Sequence, residues 1–430
     1  MFDCVVGHGS VSQLSEYIEN NKFVDKDVHS VRYNALYLIK AGAEGLLMLE
    51  LKMQSTILHI FWIFQLCCAA GPGMIRQDLP SSSYPLAVCN DGTQANYYHQ
   101  PGESHGKILI GLQGGGTCDS IENCNDRCDK TDLCTAQTDQ ELDIQLPFGG
   151  QGDDPFHDYW HVQVHYCSSD TWSGTKKASD ETGGYNFYGK HIFEAVVQDL
   201  AENFNLLEAT NIVLTGSSAG AQGAIFRCDD FSEWILSQNP SIDVRCMPDA
   251  PEFFPPDVHT EDCRTRDPGY QNYLTEFWGR VEDKSCMEYA EANGVENVGE
   301  LCGLTANFAQ FVTTPLLILS SHEDSSFAHI FGCEPRPGTP EHDEFRTDWM
   351  AAHSELVMEL MADFPEIAFF APNCRIHGVG GHREIMVTED ESGEKVNVRT
   401  FISHWLSGDG HQPIHANDDV TVDNPTCETV

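Results

Sequence analysis

Basic residues are what this chain has least of. Its 24 lysines and arginines stand against 66 aspartates and glutamates, a formal net charge of −42. A surface so acidic repels nucleic acid, anionic membranes and polyanionic glycans at moderate salt, so none of these is expected as a partner. High solubility is the plainer consequence. Metal-ligand spacing is missing too. The 17 cysteines are not interleaved with histidines at zinc-site intervals, and Cys124-Asn-Asp-Arg-Cys128 stands alone. No metal or cofactor is therefore expected. Usable glycosylation sequons are absent, because Asn239-Pro-Ser and Asn424-Pro-Thr both carry the forbidden proline. There is no internal repeat. Apolar runs long enough to span a bilayer comfortably are also lacking. The run from Ile57 to Ala70 is short and ends in small residues before Gly71, which reads as the core and cleavage site of a signal peptide. Its distance from the first residue is reconciled if Met53 is the start. Residues 1–52 are then upstream sequence outside the fold, the signal-like segment 53–71 is lost through about Ala70, and the product is a secreted monomer with no stable membrane insertion.

What the chain does have is apolar content and cysteine. A hydrophobic fraction of 41% with 10% aromatics is ample for one large core. Fourteen of the cysteines lie between Cys89 and Cys427. Their even number and spread read as a disulfide framework, hence an oxidising compartment. Short spacings suggest the pairs Cys118–Cys124 and Cys128–Cys134, and Cys228–Cys246 would bracket a helix.

From about residue 80 the pattern alternates between short β-branched runs and amphipathic stretches. Expected strands are 107–112 (KILIGL), 161–165, 211–215 (NIVLT), 244–247, 315–320 (PLLILS) and 367–370. Expected helices cover 188–203 and 219–234. Near-continuous apolar strands alternating with helices imply an α/β fold, with a mostly parallel sheet covered on both faces, over residues 80–406. Residues 114–160 read as a long disulfide-tied loop, and 407–430 as an acidic tail pinned through Cys427.

Two stretches fit G-x-S-x-G. Gly102-Glu-Ser104-His-Gly106 leads into a strand, whereas Gly216-Ser-Ser218-Ala-Gly220 follows one and opens a helix. Only the second has the strand–turn–helix setting of a nucleophile elbow. Acyl transfer also needs donors for an oxyanion. Gly114-Gly115-Gly116, just past the strand 107–112, can supply backbone N–H groups unobstructed by Cβ, and Ala219 adds another. In this fold the acid follows the second strand after the nucleophile and the histidine follows the next. That selects Asp324 and His377, with Asp249 and Glu323 as rival acids and His382 and His404 as rival bases.

Five segments then resemble, in order, the Notum and pectin acetylesterase family of α/β-hydrolase carboxylesterases: 89–98 (CNDGTQANYY), 112–118 (LQGGGTC), 166–174 (YCSSDTWSG), 216–220 (GSSAG) and 371–377 (APNCRIH). The resemblance implies a Ser218–Asp324–His377 triad and an oxyanion hole at Gly115, Gly116 and Ala219. It also implies a Cys89–Cys167 disulfide. The chain departs from the family pattern at Gln113, where an acid is usual. It departs again at Gly116–Thr117, where an aromatic is usual, and at Ala221 in place of a second glycine. The missing aromatic keeps palmitoleoyl specificity from being carried over. Three functions remain open. The first is an esterase removing acetyl or other short O-acyl groups from an acylated carbohydrate. The others are a lipid deacylase acting on an acylated secreted protein, and a catalytically idle binding protein.

Overall fold

The computed structural model describes residues 73–430 apart from 105, 138–140, 143–153, 254–268, 325, 327–338, 390–392, 409–414, 423 and 430. The upstream segment 1–52 and the signal-like segment 53–71 lie outside the described residues, as do Cys4, Cys67, Cys68, Cys263 and Cys333.

The six expected runs all form strands, joined among the described residues by six others that the sequence pattern does not announce. β1 is Met74–Asp78, β2 Asn96–Gln100, β3 Lys107–Leu112, β4 Glu141–Leu142, β5 Trp160–Val164 and β6 Asn211–Ser217. β7 is Asp243–Asp249, β8 Leu317–Leu319, β9 Ala368–Ala371, β10 Met386–Thr388, β11 Lys395–Asn397 and β12 His415–Asn417. Ten of them make one sheet in the order β12-β9-β8-β7-β6-β3-β5-β2-β1-β4. The run from β12 to β5 is parallel throughout, and β2, β1 and β4 continue it antiparallel. β10 and β11 pair separately.

Side chains of a strand alternate between faces, so a fully buried strand needs two cores. Ile108, Ile110, Ile212 and Leu214 enter one cluster, while Leu109 and Val213 enter the other. Helix α2 (Gly189–Asn203) covers the first face with Ile192, Phe193, Val196, Val197 and Leu200. The second face is packed by Val398, Phe401, Ile402 and Trp405 of a helix at Val398–Ser407. Each such side chain contributes about 1.5–3 kcal/mol of burial free energy.

Two segments differ from expectation. The stretch 114–160 is not all loop: Ile121–Lys130 forms helix α1, with the Ser120 hydroxyl accepting from Asn123 N at 3.2 Å. Its sequence, IENCNDRCDK, has only Ile121, Cys124 and Cys128 at helical spacing among polar residues, and so reads as loop. The disulfides Cys118–Cys124 and Cys128–Cys134 fasten it instead. Residues 407–430 are more than a tail, because β12 adds a parallel edge strand to β9 and Cys427 bonds Cys374. Three residues reading His-Ala-Asn carry no strand pattern, so pairing with β9 rather than propensity makes this strand.

Candidate active site

The residues assigned to the triad and the glycine loop all follow carboxyl ends of parallel strands. Gly114–Gly116 come after β3, Ser218 after β6, Asp324 after β8 and His377 after β9. In a parallel sheet these ends share one edge, where open α/β folds bind ligands. Ser104 is excluded by the same logic. It precedes β3 at the opposite edge, in a turn where its N–H donates to the Asp158 carbonyl at 2.8 Å.

Ser218 sits at φ 58°, ψ −122°, between β6 and helix α3 (Ala219–Gln238). A non-glycine residue held there stores about 1–3 kcal/mol of strain, which the surroundings must over-determine. They do so by close approach. A Cβ on Gly220 would lie 2.0 Å from the Leu112 carbonyl oxygen, so only glycine lets α3 start against β3. Ser218 N–H donates to the Asp249 carbonyl at 3.0 Å. Behind the turn, Trp172 packs on Gly223 of α3 and donates its indole N–H to the Gln113 carbonyl at 3.2 Å. The 166–174 segment thus braces both the nucleophile helix and the glycine loop. Its knot is Asp170, which accepts from Ser168 Oγ, Trp172 N and Gly189 N. Burial pushes that carboxyl up to about 6 despite these bonds.

Of the three candidate acids, Asp324 is the one against His377, its Oδ2 lying 2.7 Å from Nδ1. Asp324 is nearly inaccessible and is oriented by Ser326 N on Oδ1 and by Trp349 Nε1 on its carbonyl. Burial alone would raise its pKa, but the hydrogen bond and charge of His377 bring it below the ordinary value. Burial likewise opposes the His377 imidazolium, yet its bond to Asp324 and the charges of Asp324 and Asp249 raise its pKa above 6.5. Its side chain remains 28% exposed, enough for a substrate to reach. With Nδ1 committed to Asp324, Nε2 is the basic nitrogen.

Asp249 has a different part. Its Oδ1 accepts from Val379 N at 2.7 Å and its Oδ2 from Gly380 N at 3.3 Å, while its carbonyl takes the Ser218 N–H. One residue therefore joins the histidine loop to the nucleophile turn. Burial raises its carboxyl to about 6, opposed by those two N–H groups and by the charge of His377. Counting strands from Ser218 favours Asp324 over Asp249, which closes β7, and the His377 contact agrees. The other rivals lie elsewhere: Glu323 pairs with Arg375, His382 with Glu384, and His404 with Glu389.

The glycine loop turns over Ser218. A Cβ on Gly114 would come 3.2 Å from the Ser218 Cβ. Gly115 (φ 130°) and Gly116 (φ 73°) take conformations that L side chains rarely adopt. Ala219 opens α3, and a first-turn N–H has no intrahelical acceptor. Arg127 of α1 donates from Nη1 to the Gly115 carbonyl at 2.6 Å, a contact that nothing in that polar segment announces. The structure bonds Cys89 to Cys167, Cys118 to Cys124, Cys128 to Cys134 and Cys228 to Cys246. Two further pairs, Cys286–Cys302 and Cys374–Cys427, had no assignment from sequence. Among the described residues no cluster of His, Cys, Asp or Glu is arranged to hold a metal ion.

The fold superposes on that of the Wnt deacylase Notum from Drosophila with a TM-score of 0.67 at 22% identity, covering 81% of this chain and 96% of that one. In sequence the chain is 33% identical to palmitoleoyl-protein carboxylesterase notum2 of Xenopus laevis over 39% of its length. It is 26% identical to pectin acetylesterase 11 of Arabidopsis thaliana over 56% of its length, and 28% identical to NOTUM of Drosophila melanogaster over 68%. It spans only 35%, 59% and 43% of those three relatives' own lengths. A family model described as pectinacetylesterase matches residues 79–428, most of the chain, and the chain belongs to that family.

Proposed function

We propose that this protein is a secreted serine carboxylesterase that removes acetyl or other short O-acyl groups from an acylated carbohydrate. The observation that carries the reading is the meeting of an elbow serine, a glycine loop and an Asp–His pair at one sheet edge. His377 Nε2 takes the Ser218 proton as Oγ attacks the acyl carbonyl carbon. The tetrahedral oxyanion faces the N–H groups of Gly115, Gly116 and Ala219. Collapse expels the alcohol, protonated by His377, and leaves an acyl-serine. Water activated by the same histidine then releases the acid and free serine. Secretion is supported by the disulfides, which persist in oxidising compartments.

A second reading, a lipid deacylase of an acylated protein, is favoured by the identity to palmitoleoyl-protein carboxylesterases. The first is favoured at the glycine loop, where Gly116 and Thr117 stand in place of the aromatic usual in the family.

Hydrolysis of p-nitrophenyl esters from acetate to decanoate, by the wild type and Ser218→Ala, tests both. Activity should be highest on acetate and vanish by several orders of magnitude in the variant. A peak at octanoate or longer transfers the assignment to the lipid deacylase. Full activity of Ser218→Ala removes the mechanism.

A further inference from the structure

Two adjacent glycines make an oxyanion loop open to substrate, but they also leave its central peptide free to turn over. Rotation of the Gly115–Gly116 peptide meets no Cβ on either side. In a trans peptide the C=O and N–H point in opposite directions, and none of the described bonds is cis. The direction of the Gly116 N–H is thus decided by whatever holds the Gly115 carbonyl, and that group is Arg127.

The arginine is itself rigidly seated. Its Nε donates to Ser169 Oγ at 2.8 Å, and its guanidinium lies over the Tyr166 ring at 5.7 Å. Ser169 Oγ in turn donates to Asn90 Oδ1 at 2.7 Å, and Asn90 is tied to the Ser168 and Asn186 carbonyls. The helix that carries Arg127 is fastened at both ends by Cys118–Cys124 and Cys128–Cys134. Its Nη2 is sealed from solvent with no acceptor among the described residues, an arrangement that costs stability.

We infer that Arg127 is a positioning residue for the oxyanion hole: it fixes the Gly115 carbonyl so that the Gly116 N–H faces the developing charge. The inference rests on the esterase reading above. A guanidinium bond to the carbonyl also polarises the peptide and strengthens its N–H as a donor. Turned over, the same peptide would present its carbonyl oxygen to the oxyanion and oppose the reaction.

The test compares Arg127→Ala and Arg127→Lys with wild type on p-nitrophenyl acetate, with Ser218→Ala as control. Losing one oxyanion donor lowers kcat about 10²–10³-fold, and Arg127→Ala should fall in that range with KM little changed. The acid limb of its pH profile should stay in place, because the carboxylates that set the His377 pKa are untouched. Guanidinium ion at millimolar, non-denaturing concentration should restore part of kcat. Arg127→Lys, which keeps the charge, should fold and be intermediate. Wild-type kcat in both variants would overturn the inference, as would a loss that guanidinium does not relieve in a folded Arg127→Ala. Activity surviving in Ser218→Ala would instead bring down the esterase reading itself.

Discussion

At the scale of single residues, two buried carboxylates share the histidine between them. Asp324 bonds its ring, and Asp249 bonds the loop behind it and adds negative charge. In the proposed mechanism His377 must be neutral to accept the Ser218 proton, so kcat/KM of the wild type should fall on the acid side with a pKa above 6.5, the ordinary histidine value. Asp249→Asn removes one of the charges that favour the imidazolium. Its acid limb should therefore move to lower pH, with kcat reduced as the 377–380 loop loses an ionised acceptor. Asp324→Asn should cost far more, because the imidazole loses the partner that fixes its tautomer. A kcat/KM profile from pH 4 to 9 for the three proteins checks this. An unmoved limb in Asp249→Asn would show that its charge does not reach His377.

Among elements, the central parallel strands and helices α2 and α3 were legible because apolar β-branched runs between amphipathic segments admit few alternatives. The elbow at Ser218 was legible for a related reason: a G-x-S-x-G match between a strand and a helix differs visibly from one before a strand. What stayed hidden was held by partners rather than by pattern. Helix α1 depends on its bridges, β12 on the edge of β9, and Arg127 on a carbonyl twelve residues away. The far end of the chain also has a task that its acidity obscures. Cys427 bonds Cys374, three residues before His377, and Asp418 accepts from Asn373 N at 2.9 Å. Closing a loop of 53 residues contributes about 4 kcal/mol in the chain-entropy account. Truncation after Ser407 should lower Tm by several degrees and reduce kcat, with the Ser218-dependent activity that remains showing an unchanged ester preference. Thermal melts beside turnover measurements decide it, and a truncated protein as stable and active as the full chain would contradict this account.

For the whole molecule, cysteine and charge set the conditions of existence. Twelve described cysteines form six bridges, from Cys89–Cys167 to Cys374–Cys427. Expression from Met53 in a secreting host should deliver active enzyme to the medium, trimmed to about residue 71. Denatured without reductant, it should titrate essentially no free thiol. N-terminal sequencing and a thiol assay check both, and four or more free thiols would place the protein in a reducing compartment. The sheet itself carries one more consequence. It closes on one side with the two residues of β4 and on the other with the three of β12. Short terminal strands leave little unpaired ladder for another chain to extend. Remove β12 and the bare border is β9, Ala-Phe-Phe-Ala, buried at every position. A chain ending before β12 would thus do more than lose stability, because it would uncover an adhesive seam on which copies of the chain could template one another into fibrils.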